Sequence, residues 1–125
     1  MQVAIGKRNK LKIEKVFIVV DFGKIINPDI VLSQVEGSVV MGISIALKEE
    51  ITFHDGRVSQ SNYDDYRISR MKDCPDINVT IIESDEDVRG IDGSLMPILP
   101  AITNAIYAAT GKRIRKLPIG RQKLI

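Results

Sequence analysis

The segment Asn27–Leu47, NPDIVLSQVEGSVVMGISIAL, decides the fold. Asn is a favoured helix N-cap, and Pro is favoured at the first helical position because its missing N–H would be unbonded there. Beyond the first turn the only charged residue is Glu36. The pattern predicts a helix from about Pro28 to Leu47 that is apolar nearly all round and buried at the centre of the fold. At 100° per residue, one stripe of this helix is formed by Val35, Val39, Gly42, Ile43 and Ala46.

Two glycines interrupt this helix, at Gly37 and Gly42. Glycine lowers helix propensity by about 1 kcal/mol relative to alanine, so its use inside a helix needs another reason. We expect another group to pack closely against these positions.

The chain before the helix predicts two paired strands. Leu11–Asp21 contains the β-branched run Val16–Val20, which is typical of a strand buried on both faces. The turn Gly6–Asn9 separates this strand from the short apolar stretch Gln2–Ile5, so the two pieces predict a hairpin.

The chain after the helix predicts a second hairpin, a further strand and a second helix. Asp55-Gly56 is a hairpin turn, and a polar loop anchored by Tyr63 and Tyr66 follows it. A strand is expected at Ile77–Glu83. Pro100 opens a helix over Ala101–Thr110, Gly111 closes it, and residues 117–125 are expected to be ordered only in part. The predicted class is α+β, a small mixed sheet with a long buried helix and a second helix.

The composition excludes several classes of function and of binding site. One domain is expected from 125 residues, of which 44% are hydrophobic and 27% charged, as in globular proteins. The net charge of +2 gives no general electrostatic case for nucleic-acid binding. The single cysteine, Cys74, excludes an intrachain disulfide and a multi-cysteine metal site, and the single histidine, His54, excludes a His-rich site. Glu36 would be costly in lipid, so we expect a soluble chain without a membrane span, in a compartment the sequence leaves unknown.

Four segments together resemble a known family. They are VDFGKIINPDIVLSQVEGSVVMGIS, EEITFHDGRVSQSNYDDYRISRM, INVTIIESDE and PAITNAIYAATGKRIRKLPI. In this order they resemble the C-terminal part of the molybdopterin-binding catalytic (large) subunit of the xanthine oxidase and aldehyde oxidase family. The bacterial isoquinoline 1-oxidoreductase beta subunit and aldehyde dehydrogenase large subunit look especially similar.

The resemblance implies a piece of a larger enzyme. The family's catalytic subunit is several times longer, so residues 1–125 would be a single piece at the C-terminal end of a larger molybdopterin-binding domain. The implied activity is oxidation of an aldehyde or N-heterocycle with water as the oxygen source. The implied cofactor is molybdopterin, expected in its cytosine dinucleotide form in the full enzyme. The isolated piece is expected to bind no cofactor and to be inactive.

The resemblance also implies partners. These are the remainder of the catalytic subunit and an iron–sulfur small subunit that takes the electrons, since this chain has no cluster ligands. The excised piece would expose apolar surface, so we expect it to self-associate. The rival interpretation is a non-catalytic assembly or scaffold module that keeps the fold without the chemistry.

The resemblance assigns two candidate cofactor-binding residues, Gln34 and Gly37, and one candidate catalytic residue, Asp92. Gln34 matches the Gln near the pterin in the family, and the adjacent glycine allows close approach. The other interpretation of Gln34 is a core amide bonded to neighbouring backbone. Asp92 aligns with the Glu that serves as general base, but it is one methylene shorter, and Gly93 stands where the family has Pro. The other interpretation of Asp92 is a turn residue before glycine.

The remaining polar residues predict no further site. His54 is expected in a solvated turn, and Cys74 precedes Pro75 with no histidine nearby in sequence. No metal ligands are predicted, because three consecutive acids cannot easily face one cation. Two runs are interpreted as solvated faces: Asp85, Glu86 and Asp87; and Lys112, Arg113, Arg115 and Lys116. Nucleic-acid binding by the basic run is a weaker third hypothesis.

Overall fold

The structure is a computed structural model that describes residues 1–7, 10–90 and 97–125. It confirms the α+β class. Single turns of 3₁₀ helix occur at Met71–Asp73 and Ile119–Arg121. The other elements, in chain order, are β1 Gln2–Gly6, β2 Lys10–Val20, α1 Pro28–Leu47, β3 Phe53–His54, β4 Arg57–Val58, β5 Asp76–Ile81 and α2 Ile98–Thr110.

The main sheet has three strands in the order β1-β2-β5. β1 and β2 are antiparallel, as the predicted hairpin requires, and β5 runs parallel to β2. Parallel neighbours need a long crossover connection. Helix α1 lies in that connection, and β3 and β4 form the separate small hairpin predicted around Asp55-Gly56.

A bulge in β2 changes which side chains face the core. Gln2 pairs with Lys15, but the next residue, Val3, pairs with Ile13. One extra residue in a strand reverses the alternation beyond it. Ile13 and Val16 are therefore both buried although three positions separate them.

The prediction that β2 is buried on both faces is wrong. Val16 and Val20 are buried, but Phe17 and Val19 are 61% and 64% exposed. Both helices contribute to a core that also contains Ile13 and Val16, while the face that bears Phe17 and Val19 is left open by the described residues. The side chains of the apolar run in β2 therefore alternate between a covered face and an uncovered face of the sheet.

Helix α1 has the predicted bounds, but the described residues cover only one of its faces. The Asn27 Oδ1 atom accepts hydrogen bonds from the backbone N–H groups of Asp29 and Ile30, which confirms the cap. Ile30 and Met41 are each 57% exposed, whereas the sequence predicted burial nearly all round. The buried side consists of Val31, Val35, Val39, Gly42, Ile43, Ser44 and Ala46, which contains the whole predicted stripe.

By length and composition α1 could also cross a membrane. It is the one such helix among the described residues, with a mean hydropathy of 1.7 over a window that is 39% buried. Core helices of soluble proteins share these properties, and the absence of a membrane span stays a prediction.

Helix α2 begins at Ile98, three residues before the predicted start, so Pro100 lies in its first turn. Proline is tolerated there because the first N–H groups of a helix have no intrahelical partner. Gly111 ends the helix with a φ of 73°, as predicted. Ile102 and Ile106 are fully buried in the core.

The C-terminal segment is more firmly packed than the sequence suggested. Ile119 and Leu124 are buried in the same core as α1 and α2. A Cβ atom on Gly120 would lie 2.4 Å from the carbonyl oxygen of Leu47, so the segment passes directly against the end of α1.

We predict that Val39→Asp unfolds the chain. Val39 is 0% exposed, and an unpaired buried charge costs several kcal/mol against a total stability of about 5–15 kcal/mol. Thermal unfolding followed by circular dichroism measures the effect. Met41→Asp on the exposed side of α1 is the control, and equal thermal midpoints for the two variants would contradict the assigned core face.

Candidate cofactor-binding face

The exposed side of α1 carries both candidate cofactor-binding residues. Ile30, Gln34, Gly37 and Met41 follow one another at helical spacing, opposite the buried Val39, and all four are exposed. We call these four residues the outer stripe. It presents an amide and a glycine between two apolar side chains.

The Gln34 side chain is exposed and has no hydrogen-bond partner among the described residues. Its backbone carbonyl accepts a hydrogen bond of 2.8 Å from the Ser38 hydroxyl one turn later. An exposed amide does not fit the interpretation of Gln34 as a core residue. It leaves one donor group and one acceptor oxygen available to a ligand.

Gly37 has open space beside it. A Cβ atom added to Gly37 would meet no atom within 4 Å outside its own helix backbone. None of the described residues is therefore the group that was expected to pack closely against Gly37. A group that approaches the helix closely at this point would come from outside the described residues.

The outer stripe is chemically suited to a large, uncharged polar ring system. Gln34 can donate to and accept from the polar edge of such a ring, and the helix backbone at Gly37 can be approached closely. Ile30 and Met41 supply apolar contact on either side, the combination common in cofactor sites. The residues present thus fit a pterin, and their role in binding it stays a prediction.

Asp92, the candidate general base, lies outside the described residues. The chain is described up to Gly90 and again from Pro97. The assignment of Asp92 as a base stays a prediction.

The other polar candidates are exposed or engaged within the chain. The His54 imidazole is 85% exposed, 3.3 Å from the Asp55 carboxylate in the predicted turn. Cys74 is free and exposed. Arg113 of the basic run stacks 3.6 Å above the Tyr107 ring. No group of three or more His, Cys, Asp or Glu side chains that could hold a metal ion occurs among the described residues.

Contacts that no local pattern predicts tie the polar loop to the end of α1. Lys48 and Asp73 form an ion pair, and the backbone N–H of Ser69 donates to the buried Ser44 hydroxyl at 2.9 Å. The hydrogen bond from Lys48 lowers the pKa of Asp73, with help from the backbone N–H of Arg70. The two partners of the ion pair, and likewise Ser44 and Ser69, are 25 positions apart in the chain, so only the fold brings them together.

Tyr66 anchors the loop, whereas Tyr63 does not. The Tyr66 hydroxyl donates to the Glu49 carboxylate at 2.8 Å, and this bond raises the pKa of the phenol. Tyr63 is 95% exposed. A shallow cavity of about 460 Å³ beside it is lined by Ile51, Gln60, Ser61, Asn62, Tyr63 and Tyr66.

A second cavity, of about 560 Å³, lies where β2 and β5 end and α1 begins. Open parallel sheets often bind ligands beyond the carboxyl ends of their strands. Sequence reasoning missed this cavity, because it depends on the parallel pairing of β2 with β5. Its lining consists of Gly23, Lys24, Ile25, Pro28, Ile81, Glu83, Ser84 and Asp85.

The fold belongs to a cofactor-binding type of domain. Residues 6–75, more than half of the chain, match the family model described as the molybdopterin cofactor-binding domain. The chain belongs to that family, as the resemblance in the sequence implied.

Two curated proteins are similar to this chain in sequence. The isoquinoline 1-oxidoreductase subunit beta of Brevundimonas diminuta is 38% identical over 89% of this chain and 14% of its own length. The xanthine dehydrogenase molybdenum-binding subunit of Escherichia coli O157:H7 is 33% identical over 92% of this chain and 16% of its length. The chain therefore spans less than a fifth of either relative.

Solved structures share the fold. The quinoline 2-oxidoreductase of Pseudomonas putida 86 superposes with a TM-score of 0.79 at 27% identity, covering 90% of this chain and 16% of that protein. The CO dehydrogenase of Oligotropha carboxidovorans, at 22% identity, superposes with a TM-score of 0.74 over 87% of this chain and 15% of that protein. The second match shows the fold alone.

We predict that Gly37→Ala stabilises the isolated chain. Alanine raises helix propensity over glycine by about 0.5–1 kcal/mol, and the added methyl group meets nothing within 4 Å. Urea unfolding measures the gain. Gly111→Ala is the control and should destabilise, because it places alanine at a φ of 73°. A loss of stability in Gly37→Ala would show that the space beside Gly37 is not open.

Proposed function

We propose that this chain is the C-terminal piece of the molybdopterin-binding domain of a molybdenum hydroxylase. The proposed enzyme oxidises an aldehyde or N-heterocycle and takes the oxygen from water. Family membership supports the cofactor, and the names of the relatives support the reaction class. The observation that carries the proposal is the outer stripe of α1, where an amide without a partner among the described residues adjoins open space at Gly37.

In this proposal the outer stripe forms one wall of the cofactor site. Gln34 hydrogen-bonds the polar edge of the pterin, and Gly37 lets the ring system lie close to the helix backbone. Ile30 and Met41 exclude water on both sides of it. The bound cofactor, proposed in its cytosine dinucleotide form, supplies the oxygen transfer and accepts the electrons. The protein's part is to hold and orient it.

Asp92 is proposed as the general base that accepts a proton during hydroxylation. A base must come within about 2.6–3.2 Å of the proton it takes. Aspartate is one methylene shorter than the family's glutamate, so glutamate at this position should serve at least as well as a base.

The proposed partners follow from the length and composition of the chain. The relatives are subunits of which this chain covers only 14% and 16%, which supports a large remainder of the catalytic subunit. Electrons would pass to an iron–sulfur subunit, since the single cysteine of this chain is too few to ligate a cluster. The exposed Phe17 and Val19 suit an interface with that remainder. Self-association of the isolated piece stays a prediction.

The cofactor wall is tested by placing bulk on the outer stripe in the full-length enzyme. Gly37→Leu should fill the space beside α1 and lower the molybdenum content per protomer, measured by inductively coupled plasma mass spectrometry. Glu36→Leu, exposed on the same helix but off the stripe, is the matched control and should retain molybdenum. Equal molybdenum contents in the two variants would contradict the proposal.

The base is tested separately by Asp92 variants of the full-length enzyme. Asp92→Asn should abolish turnover, because an amide cannot accept the proton. Asp92→Glu should raise turnover or leave it unchanged, since it restores the family's residue. Steady-state kinetics on molybdenum-loaded protein measures both. Full activity of Asp92→Asn would end the catalytic assignment and favour the non-catalytic module.

A further inference from the structure

The segment after α2 carries a surface of positive charge. Residues 111–125 contain six Lys and Arg residues and neither Asp nor Glu, whereas the first 110 residues contain twelve basic and sixteen acidic residues. Among the described residues, five of the six cations are exposed and none of the five forms an ion pair with an acidic side chain. We call these five the basic surface: Lys112, Arg113, Arg115, Lys116 and Lys123.

The backbone that carries the basic surface is fixed to the core. Ile119 and Leu124 are buried there, and Ile114 packs against the same cluster. Gly120 lies so close to the end of α1 that a Cβ atom on it would be 2.4 Å from the Leu47 carbonyl oxygen. The cations therefore project from an ordered segment whose apolar residues point inward.

Hydrogen bonds within the segment bring its two basic parts together. The Lys112 amino group donates to the Lys123 carbonyl. The Gln122 side-chain amide donates to the carbonyls of Lys116 at 2.6 Å and of Pro118 at 3.0 Å. Residues 112–116 and 122–123 thus form one continuous surface.

Arg113 is held in a defined orientation. Its guanidinium carbon lies 3.6 Å from the centroid of the Tyr107 ring. Stacking on an aromatic ring fixes the plane of a guanidinium group and leaves its N–H donors at the edge, where they can pair with a carboxylate through two hydrogen bonds. The arrangement suits recognition of a carboxylate.

No contact among the described residues accounts for gathering these cations on one surface. Exposed like charges repel each other over about a Debye length, which is about 8 Å at physiological salt. This repulsion opposes folding, and no ion pair among the described residues offsets it. A local feature that costs stability without a compensating contact is expected at functional sites.

We propose that the basic surface docks an acidic surface, rich in Asp and Glu, on a separate protein. This inference goes beyond the proposed function and does not depend on the cofactor or on Asp92. Electrostatic complementarity of this kind steers two proteins toward each other and fixes their orientation.

The charge distribution favours an acidic protein over a nucleic acid. Outside residues 111–125 the acidic residues outnumber the basic ones by four, so the rest of the chain repels an extended polyanion. Single-stranded nucleic acids are bound by stacking bases on free aromatic rings. On this surface the Tyr107 ring is already covered by Arg113.

The chemistry of the surface favours a separate protein over the remainder of the catalytic subunit. Permanent interfaces are more apolar than those between partners that associate and separate. The exposed Phe17 and Val19 provide an apolar surface of the permanent kind. The basic surface, in contrast, presents cations to solvent.

Fluorescence anisotropy with a fluorescein-labelled deca-glutamate peptide tests the docking surface. The unmodified chain should bind the peptide, with an affinity that falls as salt is added. Arg115→Glu combined with Lys116→Glu should weaken binding about 10-fold or more, through lost pairs and new repulsion. Absence of binding to the unmodified chain would overturn the proposal.

Lys24→Glu combined with Arg57→Glu is the matched control for net charge. It replaces one Lys and one Arg at exposed positions in other parts of the chain. This variant should bind the peptide as the unmodified chain does. Equal losses in the two double variants would overturn the proposal, since binding would then respond to net charge alone.

Two further measurements distinguish the other occupants. A labelled DNA duplex of about 12 base pairs should bind more weakly than the peptide at about 150 mM salt; tighter binding of the duplex would overturn the proposal in favour of a nucleic acid. The full-length catalytic subunit should bind the peptide as the chain does. If the chain binds and the full-length subunit does not, the remainder of the subunit covers the basic surface, and docking of a separate protein is wrong.

Urea unfolding tests whether the cations serve the fold instead. Arg115→Gln removes one of the repelling charges and should leave the stability of the chain unchanged or raise it. Lys48→Gln is the control and should lower stability, because it breaks the ion pair with Asp73. A loss in Arg115→Gln as large as that in Lys48→Gln would overturn the proposal.

Discussion

The packing of α1 against one face of the sheet is the constraint on which the other features depend. β2 and β5 run parallel, so the chain between them must cross over the sheet, and α1 is the long element of that crossover. Val35 and Val39 are fully buried against the sheet side. Burial of a Val side chain stabilises a fold by roughly 1.5 kcal/mol or more. With α1 fixed in this way, its opposite side is turned outward at the positions of the outer stripe.

A sheet covered on one face explains the unusual surface of this chain. Phe17 and Val19 belong to the same strand as the buried Val16 and Val20, yet they are mostly exposed. The uncovered face of the sheet and the outer stripe of α1 are separate surfaces, one on the sheet layer and one on the helix layer that packs against it. In the proposed enzyme the first would meet the remainder of the catalytic subunit and the second the cofactor. The exposed apolar side chains of both surfaces would then be covered in the complete enzyme.

Three glycines illustrate three different physical reasons for the same residue type. Gly56 has a positive φ in a hairpin turn with open space around it. Gly37 has an ordinary helical conformation and open space, so its lack of a side chain concerns what approaches from outside. Gly23 has a positive φ and two carbonyl oxygens where a Cβ would lie. The conformational argument applies to the first, the proposed approach of a ligand to the second, and contact between two chain segments to the third.

The sequence by itself determined the helices, the hairpins and the family. Asn27-Pro28 specifies a helix start through local hydrogen bonding, and Asp55-Gly56 specifies a turn through the conformations these residues tolerate. Such features depend on neighbours in sequence, so they can be predicted without a structure. The sequence could not predict which faces of β2 are covered. A β-branched run is equally compatible with a strand that packs against other elements on one face or on both faces. The close contact of Gly23 with the backbone of Glu86 and Asp87 and the Lys48–Asp73 ion pair also came only from the tertiary structure, since each joins residues that are far apart in the chain.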